Sequence, residues 1–329
     1  MVGLTVLPRT PADNPLLRRI AAPVSLLDSA LVRLLPAVPK PVVQLFSSRY
    51  IAGATLTEAV ECVRGLNAGG KMATVDVLGE EITHEEETRA IAQAYRDVFA
   101  AIDEAALDAN VSVKLTALGL DLSYELCREN LVDVLRTAAG YGNFVRIDME
   151  DSSTTDDTLR LYRELREGGH DNVGVVLQAR LRRTLDDVRA LADLRPGVRL
   201  CKGIYLEPST IAFTDYEAVR ANFLACLDAL LDAGCYVSVA THDEWLIGQS
   251  LARISQRGLE PLEYELQMLL GVREERRDML VSEGHRLRVY VPFGEHWYRY
   301  SLRRLQENPA MAGTIARATA GRVLRLGAR

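Results

Sequence analysis

Four polar side chains near the end of the sequence could together bind a small anion. The stretch YRYSLRRLQEN, residues 298 to 308, contains Tyr300, Arg303, Arg304 and Glu307. At about 100° per residue these side chains share one face of a helix, with leucines on the opposite face. Guanidinium groups suit bidentate contact with a carboxylate. A solvent-exposed helix with an Arg303–Glu307 ion pair has the same pattern, so the role of this segment depends on the rest of the chain.

The elements that would position such a site are short strands alternating with helices. Eight β-rich segments, each followed by a helix-periodic stretch, are MATVDVLG (72–79), VSVKLTAL (111–118), FVRIDMED (144–151), VGVVLQAR (173–180), GVRLCKGIY (197–205), CYVSVATHD (235–243), LEYELQML (262–269) and RLRVYVPF (286–293). Alternating strands and helices indicate a parallel sheet, and eight units predict an α/β fold of the (β/α)8 TIM-barrel type. A doubly wound sheet is the alternative. It usually carries a glycine-rich phosphate-binding turn, and the chain contains no GxGxxG or GxxxxGK[ST] motif.

Three segments are predicted along the chain. Residues 1–66 form a proline-punctuated N-terminal helical segment, residues 67–310 form the barrel, and residues 311–329 form a C-terminal tail. The first of these segments has helical periodicity and lacks the short β-rich runs that begin after it.

Composition excludes several classes of function. The chain has 329 residues, is 48% hydrophobic and 26% charged, and carries a net charge of -6, which is typical of a globular protein and argues against nucleic acid as a partner. We expect neither a membrane-spanning segment nor a signal peptide, and therefore a cytoplasmic protein. The five cysteines form no CxxC motif and the histidines no HExxH motif, so no metal site is predicted.

Polar and aromatic residues gather at the predicted carboxyl ends of the strands, which form one face of such a barrel. They are Lys114, Asp148, Gln178, Arg199, Lys202, Tyr205, Thr241, His242 and Tyr290. So many polar groups at one face are costly unless they contact a ligand or one another. The set is cationic with Asp148 as its one acid, which indicates an anionic ligand carrying phosphate or carboxylate.

Single residues of this set have other interpretations. Lys114 can bind a neighbouring carbonyl group, Asp148 can cap the helix after the third strand, and His242 can be a structural histidine. Lys114 is also compatible with a Schiff-base lyase of the aldolase type. A barrel that binds an amino acid without catalysis is a third interpretation.

Several longer segments resemble the proline dehydrogenase family. They are VSVKLTALG, RIDMEDS, VRLCKGIYLEP, VATHDEW, YELQMLLG and RVYVPFGEHWYRYSLRRLQENPA, in this order over roughly residues 45 to 312. The closing YxxRRxxE element is the most specific of them. The chain departs from the family pattern at Cys201 and Ile204, where other small residues are common, and at Leu206, where some relatives carry a Trp that could stack on a flavin.

The resemblance implies a distorted barrel with N-terminal helices, with its last helix over the mouth, that binds FAD without a Rossmann domain. It implies oxidation of L-proline to Δ1-pyrroline-5-carboxylate by hydride transfer to flavin N5, with a quinone as electron acceptor. This reaction is the first step of proline catabolism to glutamate. A separate pyrroline-5-carboxylate dehydrogenase is the implied partner, and peripheral contact with the inner face of the membrane is open.

The resemblance also assigns site residues. The catalytic set is Asp148 and Tyr205. The substrate-binding set is Lys114, Leu269, Tyr290, Tyr300, Arg303, Arg304 and Glu307, and the FAD-binding set is Met149, Gln178, Arg199, Lys202, Gly203, Thr241 and His242. In physical terms, Lys114 and the two arginines anchor the substrate carboxylate, Asp148 and Glu307 hold these cations, and the tyrosines with Leu269 line the substrate ring.

Overall fold

The structure is a computed structural model that describes residues 49–79, 82–298 and 301. The predicted helix with Tyr300, Arg303, Arg304 and Glu307 lies outside the described residues, as do the first 48 residues and the predicted tail. The boundaries of the three predicted segments therefore stay predictions.

Eight strands and eight α-helices alternate along the described part of the chain. The strands are β1 (Met72–Val77), β2 (Ala109–Val113), β3 (Val145–Ile147), β4 (Val173–Gln178), β5 (Gly197–Cys201), β6 (Tyr236–Ala240), β7 (Tyr264–Leu269) and β8 (Leu287–Phe293). The helices are α1 (Leu56–Ala68), α2 (Glu85–Glu104), α3 (Tyr124–Gly140), α4 (Thr155–Glu167), α5 (Thr184–Leu191), α6 (Tyr216–Asp232), α7 (Glu244–Gln256) and α8 (Glu274–Ser282). Short 3-10 helices span Ala192–Leu194 and Pro261–Glu263.

The strands close into a barrel in chain order. Each strand runs parallel to the next, and β8 returns to pair with β1, where Val75 lies opposite Val291 on one side and Val111 on the other. This closure confirms the predicted (β/α)8 fold and excludes the doubly wound alternative.

The helix α1 gives the barrel an irregular feature. It precedes the first strand, packs against β1 and β8, and buries Ala59 and Val63. In a regular barrel the helix that follows the last strand covers this flank. The outer surface of β1 and β8 is thus covered by a helix from the amino-terminal side of the barrel.

The two faces of the strands divide polar from apolar residues. Side chains in a strand alternate between faces. Across the barrel interior, Arg199 donates to Ser112 and Lys114 donates to Asp76. The alternate positions are apolar and buried, for example Val75 and Val111, so they face the helices. A TIM-barrel interior is usually filled by branched apolar side chains, whereas polar side chains occupy much of this one.

Strand ends determine where the site begins. β2 and β3 are shorter than predicted and end at Val113 and Ile147, so Lys114 and Asp148 are the first residues of the loops that follow. Among the helices that the structure describes, none is both long and apolar enough to cross a bilayer.

Candidate active site

Lys114 lies at the mouth of the barrel among oxygen atoms from three other strands or their loops. Its Nζ atom donates to Asp76 Oδ2 over 2.7 Å and lies 3.4 Å from the Tyr290 hydroxyl. The Asp148 Oδ2 atom is 4.0 Å away. The Lys114 side chain is 10% exposed, so these acidic neighbours favour its charged ammonium form against the cost of burial.

Asp148 uses both carboxylate oxygens. Oδ1 accepts from Arg199 Nη1 over 2.6 Å, and Oδ2 accepts from the Tyr290 hydroxyl over 2.9 Å. The first residue before helix α4 is Thr154, so the interpretation of Asp148 as the cap of this helix is wrong. The carboxylate instead joins β5 and β8 to the loop after β3.

Arg199 is held from several sides within the barrel. Its Nε atom donates to Gln267 Oε1 over 2.6 Å and Nη2 donates to Ser112 Oγ over 2.9 Å, in addition to the Asp148 contact. The guanidinium carbon also lies 5.3 Å from the centre of the Tyr290 ring. This cation is therefore buried and fixed in orientation.

Asp76 is a second acid at the strand ends, in addition to the predicted Asp148. We predicted Asp148 as the one acid at the strand ends, and this is wrong because Asp76 on β1 lies fully buried beside Lys114. Burial raises the pKa of Asp76, the Lys114 ammonium opposes this rise, and the Asp148 carboxylate reinforces it. The signal was present in MATVDVLG, where a single acid within a buried strand requires a cation.

A second polar layer lies deeper in the barrel, and sequence reasoning missed it. Glu265 accepts from Arg288 Nε at 3.1 Å and from Ser238 Oγ at 3.0 Å, and it also accepts from Gln267 Nε2. Burial alone would raise the pKa of Glu265, but the charge and hydrogen bond of Arg288 and the hydrogen bond from Gln267 bring it down to about 2. Because Gln267 bonds both Glu265 and Arg199, this layer is continuous with the residues at the mouth.

Gln178 and Gly203 belong to the predicted FAD-binding set and lie side by side. Gln178 ends β4, and its Nε2 atom donates to the carbonyl oxygens of Met149 at 3.1 Å and Glu150 at 2.6 Å. Gly203 has a φ of 93°, and a Cβ atom there would lie 2.6 Å from Gln178 Oε1. The side chain of Met149 is buried. These three predicted residues are thus brought together between β4 and the loops after β3 and β5.

Lys202 belongs to a different ionic cluster from Lys114. Its Nζ atom lies 3.4 Å from Asp243 Oδ2 and 5.0 Å from the centre of the Tyr216 ring. Asp243 also accepts from Arg220 Nη2 over 2.8 Å. Burial would raise the pKa of Asp243, but the bonds from Arg220 and Tyr216 and the charge of Lys202 bring it well below its usual range. Asp243 was not predicted, because its position before α7 suggests only a helix cap.

Thr241 and His242 follow β6 and connect it to its neighbours. Thr241 Oγ1 accepts from the Asp243 amide over 3.1 Å. His242 Nε2 accepts from the Leu269 amide over 2.9 Å, and the His242 carbonyl accepts from Arg273 Nη1 over 2.7 Å. His242 therefore has a structural contact with the end of β7, next to the predicted ring-lining residue Leu269.

Tyr205 lies in the loop after β5 and is partly buried. Its carbonyl oxygen accepts from Arg180 Nη1 over 3.3 Å, and Glu207 in the same loop accepts from the amide of Ser152 over 2.7 Å. The neighbouring Leu206 is 96% exposed. The loop is thus held to the loops after β3 and β4 on the face that carries Lys114 and Asp148.

Comparison with known proteins identifies the family. The sequence model described as proline dehydrogenase matches residues 59–317. The chain is 39% identical to Proline dehydrogenase 1 of Bacillus subtilis over 83% of this chain and 90% of that protein. It is 36% identical to Proline dehydrogenase of Deinococcus radiodurans over 82% of this chain and 88% of that protein.

Solved structures agree on the fold. The barrel matches proline utilization A (PutA) from Bdellovibrio bacteriovorus with a TM-score of 0.78 and 24% identity, over 86% of this chain and 36% of that chain. PutA from Corynebacterium freiburgense matches with a TM-score of 0.71 and 22% identity, over 89% of this chain and 34% of that chain. The chain thus spans about a third of the length of these PutA structures.

These matches bear on the predicted class of enzyme. The family model covers more than half of the chain, and the two relatives are matched over most of their own length. The prediction of an oxidoreductase acting on proline is confirmed, and the chain belongs to the proline dehydrogenase family.

Proposed function

We propose that this protein binds FAD at the carboxyl ends of its barrel strands and oxidises L-proline to Δ1-pyrroline-5-carboxylate, with a quinone as electron acceptor. Family membership supports the oxidation of proline in proline catabolism. The observation that supports the site most strongly is that Lys114, Asp148, Arg199 and Tyr290 lie together at the barrel mouth.

The charges of this cluster support a role for the closing arginines. Within the described residues, Lys114 and Arg199 are balanced by Asp76 and Asp148. A substrate carboxylate would make this set net negative, and a buried carboxylate requires cationic partners. In our proposal Arg303 and Arg304 supply this charge and Glu307 orients them, as the YxxRRxxE motif implies.

The ring of proline needs an apolar surface beside this anchor. Tyr290 is fixed at the mouth by its hydroxyl bond to Asp148 and by Arg199 against its ring. We propose that Tyr290 and Leu269 line the ring with Tyr205 and Tyr300, and exclude water from it.

Asp148 contributes by positioning. Both of its oxygens already accept hydrogen bonds, from Arg199 and Tyr290. It therefore fixes one cation and one aromatic wall next to the substrate, and is a poor candidate for a general base. Lys114 orients the carboxylate, so that the ring carbon next to nitrogen is presented in one orientation.

The residues predicted for FAD fit an anionic dinucleotide. Lys202 of the predicted set and Arg180, which was not predicted, place positive charge at the ends of β5 and β4, and Arg180 Nε is buried without a hydrogen-bond partner among the described residues. Phosphate groups favour such cations and donors. The residues that would hold FAD are Met149, Gln178, Arg199, Lys202, Gly203, Thr241 and His242. Bound FAD would supply the hydride acceptor, flavin N5.

The Schiff-base alternative conflicts with the surroundings of Lys114. A Schiff base forms from a neutral amine, whereas Asp76 at 2.7 Å and Asp148 at 4.0 Å favour the ammonium form. We expect Lys114→Arg to keep some activity and borohydride to trap no substrate adduct on the wild-type protein. A trapped adduct on Lys114, found by mass spectrometry, would overturn our assignment of this residue.

We also propose a separate dehydrogenase for the next step. The chain matches 90% of Proline dehydrogenase 1 of Bacillus subtilis but 24% of the Bifunctional protein PutA of Escherichia coli. This contrast supports a second protein that oxidises pyrroline-5-carboxylate. Our proposed location is the cytoplasm, with peripheral contact at the membrane where a quinone is reduced.

Product analysis tests the proposed function. The purified protein is incubated with L-proline and a soluble quinone, and the cyclic imine product is trapped with an aromatic amino aldehyde. The cofactor is released by heat and separated by chromatography. We expect the imine in amounts equal to the quinone reduced, and FAD as the cofactor. FAD-loaded protein that forms no imine would refute the proposal.

A further inference from the structure

Asp76 is a fully buried acid that lies directly beside the proposed carboxylate anchor. It belongs to β1, between β2 and β8, and its register partners are Ser112 and Pro292. Its Oδ2 atom accepts from Lys114 Nζ over 2.7 Å. None of the family motifs quoted above contains this residue.

We propose that Asp76 is a positioning residue for substrate binding, which holds the Lys114 ammonium toward β1 and keeps it from collapsing onto Asp148. This role rests on the proposed function of Lys114 as a carboxylate anchor. The buried pair with Lys114 adds little to folding on balance, because desolvation of two charges offsets much of their attraction. Its main contribution is therefore to the placement of one flexible ammonium group.

The alternative position of Lys114 is close at hand. Asp148 Oδ2 lies 4.0 Å from Lys114 Nζ, against 2.7 Å for Asp76 Oδ2. Without the Asp76 charge, Asp148 is the nearest acid among the residues that the structure describes, and a small movement of a four-carbon side chain closes the gap. Lys114 would then compete for the two carboxylate oxygens of Asp148. One of them already accepts from Arg199 and the other from Tyr290.

In the described part of the chain, the remaining charged and titratable groups around Lys114 do not replace Asp76. Glu150 interacts electrostatically with Lys114 but is bound through Oε1 and Oε2 to the Thr116 hydroxyl and amide. The Tyr290 hydroxyl donates to Asp148. Of the acids at residues 49–79 and 82–298, Asp76 is therefore the one that draws Lys114 away from the Asp148 side of the mouth.

A double-mutant cycle tests this role. The variants are Asp76→Asn, Lys114→Met and the combination, each compared with the wild-type flavin-loaded enzyme. We expect Asp76→Asn to raise the KM for L-proline roughly tenfold while kcat falls less than about threefold. Affinity for cyclopentanecarboxylate, a ring carboxylate that lacks the nitrogen, should fall to the same extent. In the Lys114→Met background the same substitution should change KM less than about twofold.

A matched control distinguishes the positioning of Lys114 from the general effect of removing a buried acid. Glu265→Gln removes another buried acid of the barrel, which is paired with Arg288 instead of Lys114. When Glu265→Gln is combined with Lys114→Met, the two fold-changes in KM should multiply. When Asp76→Asn is combined with Lys114→Met, they should not. Adding Asp76→Asn to Lys114→Met should also raise the Tm, because it removes an acid left without its cation.

The outcomes are distinguishable. If the effects of Asp76→Asn and Lys114→Met on KM multiply, Asp76 has no positioning role and the inference is overturned. If Asp76→Asn alone does not fold, the double variant is compared with Lys114→Met, and a further rise in KM overturns the inference equally. Wild-type enzyme that does not oxidise proline would instead refute the proposed function itself.

Discussion

The Tyr290 hydroxyl donates a hydrogen bond to Asp148 Oδ2 over 2.9 Å. This bond ties the fourth residue of β8 to the loop after β3, across the barrel interior. It holds the Tyr290 ring in one orientation at the mouth, where the ring can select a substrate by size.

Substitution of Tyr290 should change substrate selectivity. An added hydroxyl on the proline ring would meet the aromatic surface or displace the tyrosine hydroxyl from Asp148. We expect Tyr290→Ser to raise the ratio of hydroxyproline to proline kcat/KM by roughly tenfold, equivalent to about 1.4 kcal/mol of relieved steric cost. Tyr290→Phe keeps the ring but loses the hydroxyl, so it should lower kcat/KM for proline and change this ratio less than Tyr290→Ser does. An unchanged ratio in Tyr290→Ser and in Tyr300→Ser would show that neither tyrosine lines the ring pocket.

The closing arginines should affect substrate binding more than cofactor binding. Replacement of Arg303 or Arg304 with Met removes a charge-assisted contact with the carboxylate. It should lower kcat/KM for proline, mainly by raising KM, and the loss should correspond to about 2 to 5 kcal/mol of transition-state stabilisation. FAD content should change less. As a control, Arg163→Met removes a helix arginine that pairs with Asp193, and KM should stay at the wild-type value. Wild-type kinetics in the two closing variants would identify their segment as a solvent-exposed helix.

The Gly203 position should report on the cofactor site. An Ala at a positive φ costs roughly 1 to 2 kcal/mol, and at Gly203 the new Cβ also lies 2.6 Å from Gln178 Oε1. Gly234 is the matched control, because it has a φ of 68° and no atom within 4 Å of an added Cβ. We expect both Ala variants to lower the Tm and Gly203→Ala alone to lower the FAD content. Equal FAD content in the two variants would show that the contact between position 203 and Gln178 does not affect cofactor binding.

Glu265 should make stability depend on pH. Its folded pKa of about 2 lies below the ordinary value of 4.5, so its stabilising contribution is complete above 4.5 and is lost as the pH falls toward 2. The shift corresponds to roughly 3 kcal/mol at neutral pH. We therefore expect Glu265→Gln to lower the free energy of unfolding at neutral pH and to reduce its fall between roughly pH 5 and pH 3, measured by urea unfolding.

The control for this measurement is an exposed acid. Glu167 lies at the end of α4, and its pair with Arg163 is solvent-exposed. Glu167→Gln should change the free energy of unfolding by less than about 0.5 kcal/mol. Parallel pH curves for wild type and Glu265→Gln would show that the Glu265 carboxylate gains nothing from its partners in the folded barrel.

The sequence was sufficient for the fold and for part of the candidate site. Strand–helix alternation predicted eight strands and closure because each β-rich segment has its own helix-periodic partner. Lys114, Asp148, Arg199 and Tyr290 could be chosen because each lies near the end of a strand, and all such ends share one face. The local pattern was enough for these residues.

Contacts between side chains inside the barrel were harder to predict than the residues at the strand ends. Asp76, Gln267 and Glu265 lie inside strands, and which residues meet there depends on the register and closure of the barrel. A one-residue change of register would turn each side chain to the other face. Polar residues two apart in one strand, such as Glu265 and Gln267, do indicate a polar face, but not the strand that supplies the opposite charge.

The most direct test is an anaerobic titration of the purified, FAD-loaded protein with L-proline. With no electron acceptor present, the flavin should lose its visible absorption in proportion to added proline, and a quinone added afterwards should restore it. Arg163→Met should behave like the wild type. Flavin that stays oxidised at a saturating concentration of L-proline would contradict the proposed function.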